Sequence, residues 1–342
     1  MQAIRYAAYG HDPCLVELPE PECPEDGAVI AVRATGVCRS DWHAWRGHDP
    51  VPLPMVPGHE FAGVVARIGP LVRGFAVGDR VTAPFVNGCG RCHWCLSGQA
   101  QVCPDQTQPG FTHAGSFAEQ VVVRAADFNL VRLPEAIDFV TAAALGCRFA
   151  TSYHALTAQS RLASGEWLLV LGCGGVGLSA VLVGRALGAR VLAVDPSAAA
   201  RARATELGAV AVLATADPGA VQEATDGGAH VSLDAVGSAA TANACVRGLR
   251  RRGRHIQVGL MLGTHADAPL AWGVVVAHEL EVVGSHGMAA ADYPGLLELI
   301  TARSLDPRPL VGRVVDLAQA GEELMAMDAP SPASAGIVVA TI

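Results

Sequence analysis

The sequence predicts an α/β protein that combines a β-rich region with a region of alternating strands and helices, and three observations lead to this prediction. The first half contains short apolar runs separated by Gly and Pro, such as AVIAVRATG, GVVARIG and GDRVTAP, which is typical of strands. From about Ala150 apolar runs alternate with helical segments, which predicts a parallel sheet covered on both faces. A chain of 342 residues is longer than one core usually holds, so two domains are expected.

The second half supplies a regular series of predicted strands: WLLVLG, RVLAVD, AVAVL, HVSLDAVG, RHIQVGL and LEVVGS. Between the second and third lies SAAARARATELG, in which Ser197 is an N-cap candidate and Gly208 follows the last helical residue. The alternation ends near Gly287. The last segment mixes a predicted helix, DYPGLLELITAR, with the predicted strands GRVVDL and GIVVATI.

Composition excludes several classes of protein. The chain is 51% hydrophobic and 16% charged, which is typical of a packed globular protein. A net charge of −8 argues against a nucleic-acid partner. The N-terminal stretch MQAIRYAAYGHDP has no apolar core of a secretory signal, so we expect a cytoplasmic protein with reduced thiols.

One uncharged run, Trp167 to Gly184, has nearly the length of a membrane-spanning helix. It contains five glycines, four of them clustered directly after the apolar run WLLVL. A strand, a tight turn and a buried helix explain this pattern better than a membrane span, so no membrane association is expected.

The glycines of this run form a G-x-G-x-x-G turn made by Gly172, Gly174 and Gly177. The first glycine permits the tight turn, the second lets the backbone approach a pyrophosphate, and the third allows helix and strand to pack closely. Asp195 closes the next predicted strand, where its carboxylate would bind ribose hydroxyls and repel a 2′-phosphate. This favours NAD over NADP, although a purely structural turn is the alternative. The candidate cofactor-binding residues are Gly172, Gly174, Gly175, Val176, Gly177 and Asp195.

Four cysteines lie within the stretch CGRCHWCLSGQAQVC, with the spacing C-x2-C-x2-C-x7-C. Disulfides are disfavoured in a reducing compartment. A thioredoxin-like redox pair would stand beside a βαβ unit, and the last gap is too long for the ferredoxin-type run. A closed tetrahedral zinc site with a structural role fits the spacing. Its ligands would be Cys89, Cys92, Cys95 and Cys103.

A second, scattered set of candidate residues comes from three stretches, GVCRSDWH, VPGHEFAG and LGCRFAT. Two thiolates and one imidazole would give zinc three protein ligands and leave a fourth position open, which is the pattern of a catalytic site. A lone buried cysteine is more often a small hydrophobic core residue, and periodicity does not show that these stretches converge. The candidates are Cys38, Ser40, Asp41, His43, His59, Glu60, Cys147 and Thr151.

These motifs, together with GDRV, GCGGVG and the Asp of AVDPS, resemble the zinc-dependent alcohol dehydrogenases of the medium-chain dehydrogenase/reductase family, and they follow the family's order along nearly the whole chain. The resemblance implies a GroES-like β-rich catalytic domain at 1–149, completed by 288–342, and a Rossmann NAD-binding domain at 150–287. It implies two Zn²⁺ ions per chain. A catalytic ion would be bound by Cys38, His59 and Cys147, and a structural ion by Cys89, Cys92, Cys95 and Cys103.

The resemblance also implies roles for residues around the catalytic ion. Ser40 would take the proton of the alcohol and pass it through a cofactor ribose hydroxyl to His43. Asp41 would orient His59, and Glu60 would be a transient zinc ligand; a structural salt bridge is the alternative for both acids. The nicotinamide would contact Thr151, Val258 and Leu260. The substrate would contact Phe85.

The sequence departs from the family pattern at two positions that are often cationic. Ala200 stands where the family often has a lysine after the ribose-binding acid, with Arg201 next to it as a candidate substitute. Gly336–Ile337 stands where the family often has a Gly-Arg pair that meets the pyrophosphate. Each lost contact is expected to weaken NAD binding by about 1–3 kcal/mol unless another arginine compensates.

The sequence therefore predicts a zinc-dependent oxidoreductase that interconverts primary or secondary alcohols and carbonyl compounds with NAD. A polyol or amino-alcohol dehydrogenase of the sorbitol or threonine type is an alternative with the same zinc chemistry. A non-catalytic nucleotide or redox sensor is an alternative of another class, which would require a broken zinc set. The expected partners are the small-molecule substrate and further copies of the chain, with a tetramer favoured over a dimer.

Overall fold

The protein is built around two large β-sheets joined by helices, as seen in a computed structural model that describes residues 1–302, 304–329 and 336–342. The strands are β1 (Gln2–Arg5), β2 (Cys14–Glu17), β3 (Ala28–Val37), β4 (Glu60–Ile68), β5 (Arg80–Thr82), β6 (Gln120–Val123), β7 (Val131–Arg132), β8 (Trp167–Leu171), β9 (Arg190–Val194), β10 (Ala211–Leu213), β11 (Ala229–Asp234), β12 (Leu249–Gln257), β13 (Glu281–Gly284), β14 (Val311–Asp316) and β15 (Ile337–Thr341).

The helices connect and cover these sheets. They are α1 (Arg39–Trp45), α2 (His93–Leu96), α3 (Ala126–Asn129), α4 (Phe139–Ala143), α5 (Ala150–His154), α6 (Gly175–Ala186), α7 (Ala198–Leu207), α8 (Pro218–Ala224), α9 (Ala239–Arg247), α10 (Trp272–His278), α11 (Tyr293–Thr301) and α12 (Leu317–Ala326). A π-helical turn, Leu145–Phe149, lies between α4 and α5.

The first sheet has seven strands and is mainly antiparallel. Its path is β14-β15-β3-β4-β5-β7, and β6 also pairs with β3. Only the β14–β15 pair is parallel among these pairings. β14 and β15 come from the end of the chain, so the C-terminal segment returns to the sheet formed by the first half.

The second sheet has six parallel strands in the order β10-β9-β8-β11-β12-β13. β8 is buried at all five positions, because a central parallel strand is covered on both faces by helices. The predicted strands of the second half all form, and Ser197 caps α7 by accepting a hydrogen bond from Ala200 N. The predicted fold class, with a β-rich region and a region containing a parallel sheet, is confirmed.

The uncharged run Trp167–Gly184 consists of β8, the glycine turn and most of α6, as the sequence predicted. Within the described part of the chain, no helix has both the length and the apolar character needed to cross a membrane.

Helices α4 and α5 and the π-helical turn connect the two sheets through a shared apolar core. That core includes Leu145 and Phe149 from the turn, Leu168 from β8 and Ile337 from β15, all fully buried. The Tyr293 hydroxyl donates to the carbonyl of Gly146 in the same turn at 3.3 Å. The π-helical turn is therefore held from both sides, which fixes the side chains that it carries.

Candidate functional site

Four candidate ligands from distant parts of the chain converge at the junction of the two sheets. Cys38 stands at the N-terminus of α1, His59 and Glu60 at the start of β4, and Cys147 in the π-helical turn. Their ligand atoms all lie within 4.8 Å of one another. Cys38, His59 and Glu60 are buried and Cys147 is partly buried.

His59 is oriented by the buried carboxylate of Asp41. Its Nδ1 lies 2.8 Å from Asp41 Oδ1, which makes Nδ1 the proton donor. The same carboxylate accepts from the backbone N–H groups of Cys38 and Gly58, at 3.1 and 3.0 Å. His59 Nε2 is buried and has no hydrogen-bond partner in the described structure. A buried, unpartnered nitrogen is costly, and a metal ion between it and the two thiols would satisfy it.

Protons would compete with a metal ion for the side chains of Cys38, His59 and Cys147. A hydrogen bond from Cys147 lowers the pKa of Cys38 well below its usual range, and the same bond raises the pKa of Cys147. Burial alone would lower the pKa of His59. The Asp41 carboxylate and the Cys38 sulfur raise it by more than burial lowers it, so the pKa lies well above its usual value. Because ligands must lose their protons, a divalent cation would bind here in a pH-dependent way.

Glu60 forms a buried ion pair with Arg148, a residue that the sequence analysis did not select. Its Oε1 accepts from the Arg148 backbone N–H at 3.1 Å and from Nε at 3.0 Å, and Oε2 accepts from Nη2. Both residues are at most 8% exposed. This geometry matches the salt bridge that was the alternative for Glu60, and a role as zinc ligand would require this ion pair to open.

The second cysteine set also converges. The sulfur atoms of Cys89, Cys92, Cys95 and Cys103 lie within 4.8 Å of one another. Cys89 and Cys95 are separated by 4.0 Å, and Cys92 and Cys103 by 3.7 Å. A tetrahedral ion with Zn–S bonds of about 2.3 Å requires S–S separations of roughly 3.8 Å. All four are free cysteines, so the disulfide interpretation is not supported and the spacing fits a single ion.

A cleft with a volume of about 680 Å³ leads from the Cys38 cluster to the glycine turn. Most of the candidate residues line it: Ser40, His43, Phe85, Thr151, Gly172, Gly174, Gly175, Val176, Asp195, Val258 and Leu260. Gly177 lies behind the cleft, where a Cβ would stand 1.7 Å from the carbonyl oxygen of Gly172. A Cβ on Gly174 would meet nothing within 4 Å. The second glycine therefore leaves room for a ligand against its backbone, as a dinucleotide pyrophosphate requires.

Asp195 stands at the end of β9, beside the turn. Its two carboxylate oxygens accept from the backbone N–H groups of Cys173 and Ser197, both at 2.8 Å. Arg201 donates to the carbonyl oxygens of Asp195 and Pro196, at 2.7 and 2.9 Å, and does not line the cleft. Ala200 packs against the core instead.

His43 lines the cleft and contacts a second histidine. Its Nδ1 is 3.2 Å from Nδ1 of the exposed His48. Burial lowers the pKa of His43, and the neighbouring His48 and Arg39 lower it further. A neutral imidazole at this position can accept a proton at neutral pH.

Aromatic rings lie close to His59. The ring centroid of His59 is 5.9 Å from that of Phe85 and 5.2 Å from that of Phe111, and Phe85 is 5.2 Å from His286. The sequence analysis missed Phe111, His286 and Arg148. Phe111 and His286 lie in loops without a motif, and only the position of Arg148 next to Cys147 marked it in the sequence.

A metal cluster that opens into a dinucleotide-type cleft is the arrangement expected of a metal-dependent dehydrogenase. Residues 24–135 match the family described as the alcohol dehydrogenase GroES-like domain, and residues 175–302 match that described as zinc-binding dehydrogenase.

Individual relatives agree with these matches. The chain is 34% identical to an alcohol dehydrogenase of Geobacillus stearothermophilus, over 79% of this chain and 80% of the relative. It is 33% identical to a sorbitol dehydrogenase of Halalkalibacterium halodurans, over 86% of each chain. The crystal structure of an NAD-dependent alcohol dehydrogenase superposes with a TM-score of 0.89, at 28% identity and with 100% of both chains covered.

The chain belongs to the zinc-dependent alcohol dehydrogenases of the medium-chain dehydrogenase/reductase family. The region of the seven-stranded sheet is accordingly GroES-like, and the six-stranded parallel sheet is of the Rossmann type.

Proposed function

We propose that this protein interconverts primary or secondary alcohols and the corresponding aldehydes or ketones by hydride transfer to and from NAD. One observation carries the proposal: the buried, unpartnered Nε2 of His59 stands beside two thiols at the inner end of a cleft that also contains the glycine turn. Family membership supports the same reaction class.

The proposed catalytic ligands are Cys38, His59 and Cys147, and the proposed structural ligands are Cys89, Cys92, Cys95 and Cys103. Two thiolates balance the charge of Zn²⁺, and the hydrogen bond from Asp41 keeps Nε2 of His59 free to bind it. When bound, zinc would act as a Lewis acid that polarises the substrate oxygen. Glu60 stays a candidate transient ligand only if its ion pair with Arg148 opens.

The proton of the alcohol leaves through Ser40 and His43 in this proposal. Ser40 lines the cleft two residues after Cys38 and accepts the proton from the substrate hydroxyl. His43 would be the next proton acceptor, with a ribose hydroxyl of bound NAD as its link to Ser40, and its lowered pKa keeps it neutral for this task at pH 7. Its contact with exposed His48 opens a route to solvent.

The adenosine half of the cofactor and the substrate lie at opposite ends of the cleft, and the nicotinamide lies between them. Gly172, Gly174, Gly175, Val176 and Gly177 form the pyrophosphate turn, and Asp195 binds the adenosine ribose. Arg201 binds the backbone next to Asp195 and so supports that end of the site. Thr151, Val258 and Leu260 contact the nicotinamide. Phe85 lines the substrate pocket, together with Phe111 and His286.

A substrate panel with purified protein tests the proposal. Formation of NADH is followed with simple aliphatic and aromatic alcohols, sorbitol and threonine, each with NAD and with NADP. We expect turnover of simple alcohols with a kcat/KM at least about tenfold higher for NAD, since the Asp195 carboxylate repels a 2′-phosphate. Lack of turnover in a protein that binds only the structural zinc ion would support the sensor alternative. A preference for NADP would contradict the assignment of Asp195.

A polyol substrate is the second candidate. The similarity to a sorbitol dehydrogenase favours it, and polar side chains such as Gln108, Ser285 and His286 line the cleft with the aromatic rings. A kcat/KM for sorbitol above that for every simple alcohol of the panel would establish this alternative.

The domain boundaries, assembly and location complete the proposal. We propose a catalytic domain at 1–149 with 288–342, and an NAD-binding domain at 150–287. We also propose a cytoplasmic homo-oligomer, with a tetramer favoured over a dimer. β13 is an edge strand of its sheet. In α10, which precedes it in the chain, the side chains of Trp272 and Val276 are 60% and 76% exposed. An unpaired strand edge and exposed apolar side chains support burial of this surface in an oligomer. Light scattering with size-exclusion chromatography measures the assembly.

A further inference from the structure

Arg148 is the most deeply buried cation that lines the cleft. It is 8% exposed, and its side chain lies beside Gly175 of the turn. The guanidinium has five N–H donors, of which Nε and Nη2 donate to Glu60. In the described part of the chain no protein group accepts a hydrogen bond from Nη1, so this end of the fork is available to a ligand.

Nη1 lies against the N-terminus of α6. A Cβ built on Gly175, the first residue of this twelve-residue helix, would stand 2.5 Å from Arg148 Cδ and 3.4 Å from Nη1. Glycine at this position therefore makes room for the arginine side chain. The free backbone N–H groups of a helix N-terminus and a buried guanidinium both favour a bound anion.

We propose that Arg148 binds the pyrophosphate of the dinucleotide through Nη1, from the wall of the cleft beside the glycine turn, while Glu60 holds the rest of its guanidinium in place. This inference rests on the proposed function, because it assumes that the cleft binds NAD. It assigns the cationic contact that neither Ala200 nor Ile337 supplies, since Ile337 is fully buried in the core.

The contacts around Arg148 fix its position before the cofactor binds. Glu60 is buried and accepts three hydrogen bonds from Arg148. Ser152 Oγ lies 2.9 Å from the Arg148 carbonyl oxygen and 2.8 Å from that of Val176. The turn that carries Cys147 is thus tied to the glycine turn. A cation held in advance loses little conformational entropy on binding.

Other arginines at the cleft have different partners. Arg39 donates to the carbonyl oxygen of Met327 at 2.6 Å and is exposed. Arg313 forms an ion pair with Glu323. Neither of them has a contact with the glycine turn among those that the structure describes, whereas the Arg148 side chain lies against Gly175.

The affinity for ADP-ribose tests this assignment, because ADP-ribose carries the pyrophosphate but lacks the nicotinamide. Calorimetry compares the zinc-loaded wild type with Arg148→Gln, Arg148→Lys and the double variant Glu60→Gln/Arg148→Gln. The double variant avoids an unpaired buried carboxylate and so keeps the test valid if the single variant does not fold. Arg308→Gln, an exposed arginine paired with Asp306, is the control for loss of one positive charge.

We expect the Kd for ADP-ribose to rise about ten- to a hundredfold in Arg148→Gln and in the double variant, as for the loss of a charged hydrogen bond. We expect a smaller rise in Arg148→Lys and a weaker salt dependence of binding in both Gln-containing variants. A purely structural Arg148 would change thermal stability and leave these two quantities alone.

An unchanged Kd in the folded double variant, or in Arg148→Lys if that alone folds, would overturn the assignment. The proposed function would survive this result as long as the wild type oxidises alcohols with NAD. A wild type that binds neither NADH nor ADP-ribose would instead refute the proposed function.

Discussion

The imidazole of His59 shows how one residue is prepared for a metal ion. The Asp41 carboxylate accepts hydrogen bonds from the Nδ1–H of His59 and from two backbone N–H groups at the same time, so it fixes the ring with respect to Cys38. The other ring nitrogen, Nε2, has no hydrogen-bond partner in the described structure and lies next to the other candidate ligand atoms. In the proposed metal site, the position of His59 is therefore set by a carboxylate that is not itself a proposed ligand.

At this scale, Asp41→Asn is expected to weaken binding of the catalytic zinc by about ten- to a hundredfold, because the ring loses a charged partner. Competition with a chelator, read as the zinc released per chain, measures the effect. The structural zinc serves as the internal reference and should be retained. Asp306→Asn, at an exposed ion pair, is the matched control. Equal release of zinc from Asp41→Asn and wild type would contradict the role of Asp41.

Residue-scale features differed in how well the sequence indicated them. The spacing of Cys89, Cys92, Cys95 and Cys103 was enough to predict their convergence, because the ligands lie on one short loop. Cys38, His59 and Cys147 are far apart, and only the family resemblance connected them. Arg148 was missed because an arginine next to a ligand has no special spacing; its importance comes from Glu60, 88 positions earlier in the chain.

At the scale of elements, the glycine turn between β8 and α6 contains glycines that are needed for two different reasons. Gly177 is required by the protein itself, since its Cβ would collide with the carbonyl oxygen of Gly172. Gly174 has a φ of −80° and open space around it, so only a ligand can require it to be glycine.

Two alanine substitutions are therefore expected to behave differently. Gly177→Ala should lower the free energy of unfolding by about 1–3 kcal/mol, because the backbone must move to relieve the clash. Gly174→Ala should leave the melting temperature nearly unchanged and raise the Kd for NADH at least about tenfold, since its methyl group occupies the pyrophosphate position. Thermal unfolding and NADH fluorescence measure the two effects. If Gly174→Ala bound NADH like the wild type, the pyrophosphate would lie elsewhere.

The sequence was most informative about the secondary-structure elements. Short, mainly apolar runs that alternate with helical segments predicted the strands of the parallel sheet, and the pattern is clearest in β8, which is apolar and buried at all five positions. The π-helical turn at Leu145–Phe149 was not predicted. Its backbone is fixed by contacts with Tyr293 and the shared core, which local sequence does not encode.

At the scale of the whole molecule, buried histidines connect stability to pH. Burial lowers the pKa values of His113, His255 and His286. The folded protein therefore binds these protons less readily than the unfolded chain does, and the free energy of unfolding falls as the pH drops below about 6.5.

Urea unfolding between pH 5 and 8 at saturating zinc checks this expectation. The urea midpoint should decrease below about pH 6.5, and His255→Gln should show a shallower decrease because one of the linked protons is removed. Loss of zinc at low pH also destabilises the protein, but it affects both proteins alike. Identical pH slopes for wild type and His255→Gln would exclude His255 as a contributor.

The relation between the two sheets is also a whole-molecule property. The C-terminal strands return to the first sheet, and the cleft between the sheets brings Cys38 and Asp195 to the same cavity. The family resemblance predicted this return, whereas periodicity alone gave only the order of elements. The shape of the substrate end, with Phe111 and His286 near Phe85, depends on loop conformations that the sequence pattern did not indicate.

The central claim is that Cys38, His59 and Cys147 bind one zinc ion and leave a coordination position open. Anomalous diffraction from a crystal at the zinc absorption edge measures this directly. The account predicts two zinc peaks per chain, one within about 2.0–2.3 Å of these three ligand atoms and free of any fourth protein ligand, the other among the four clustered cysteines. A single peak at the cysteine cluster, or an ion whose fourth ligand is a fixed protein side chain, would contradict it.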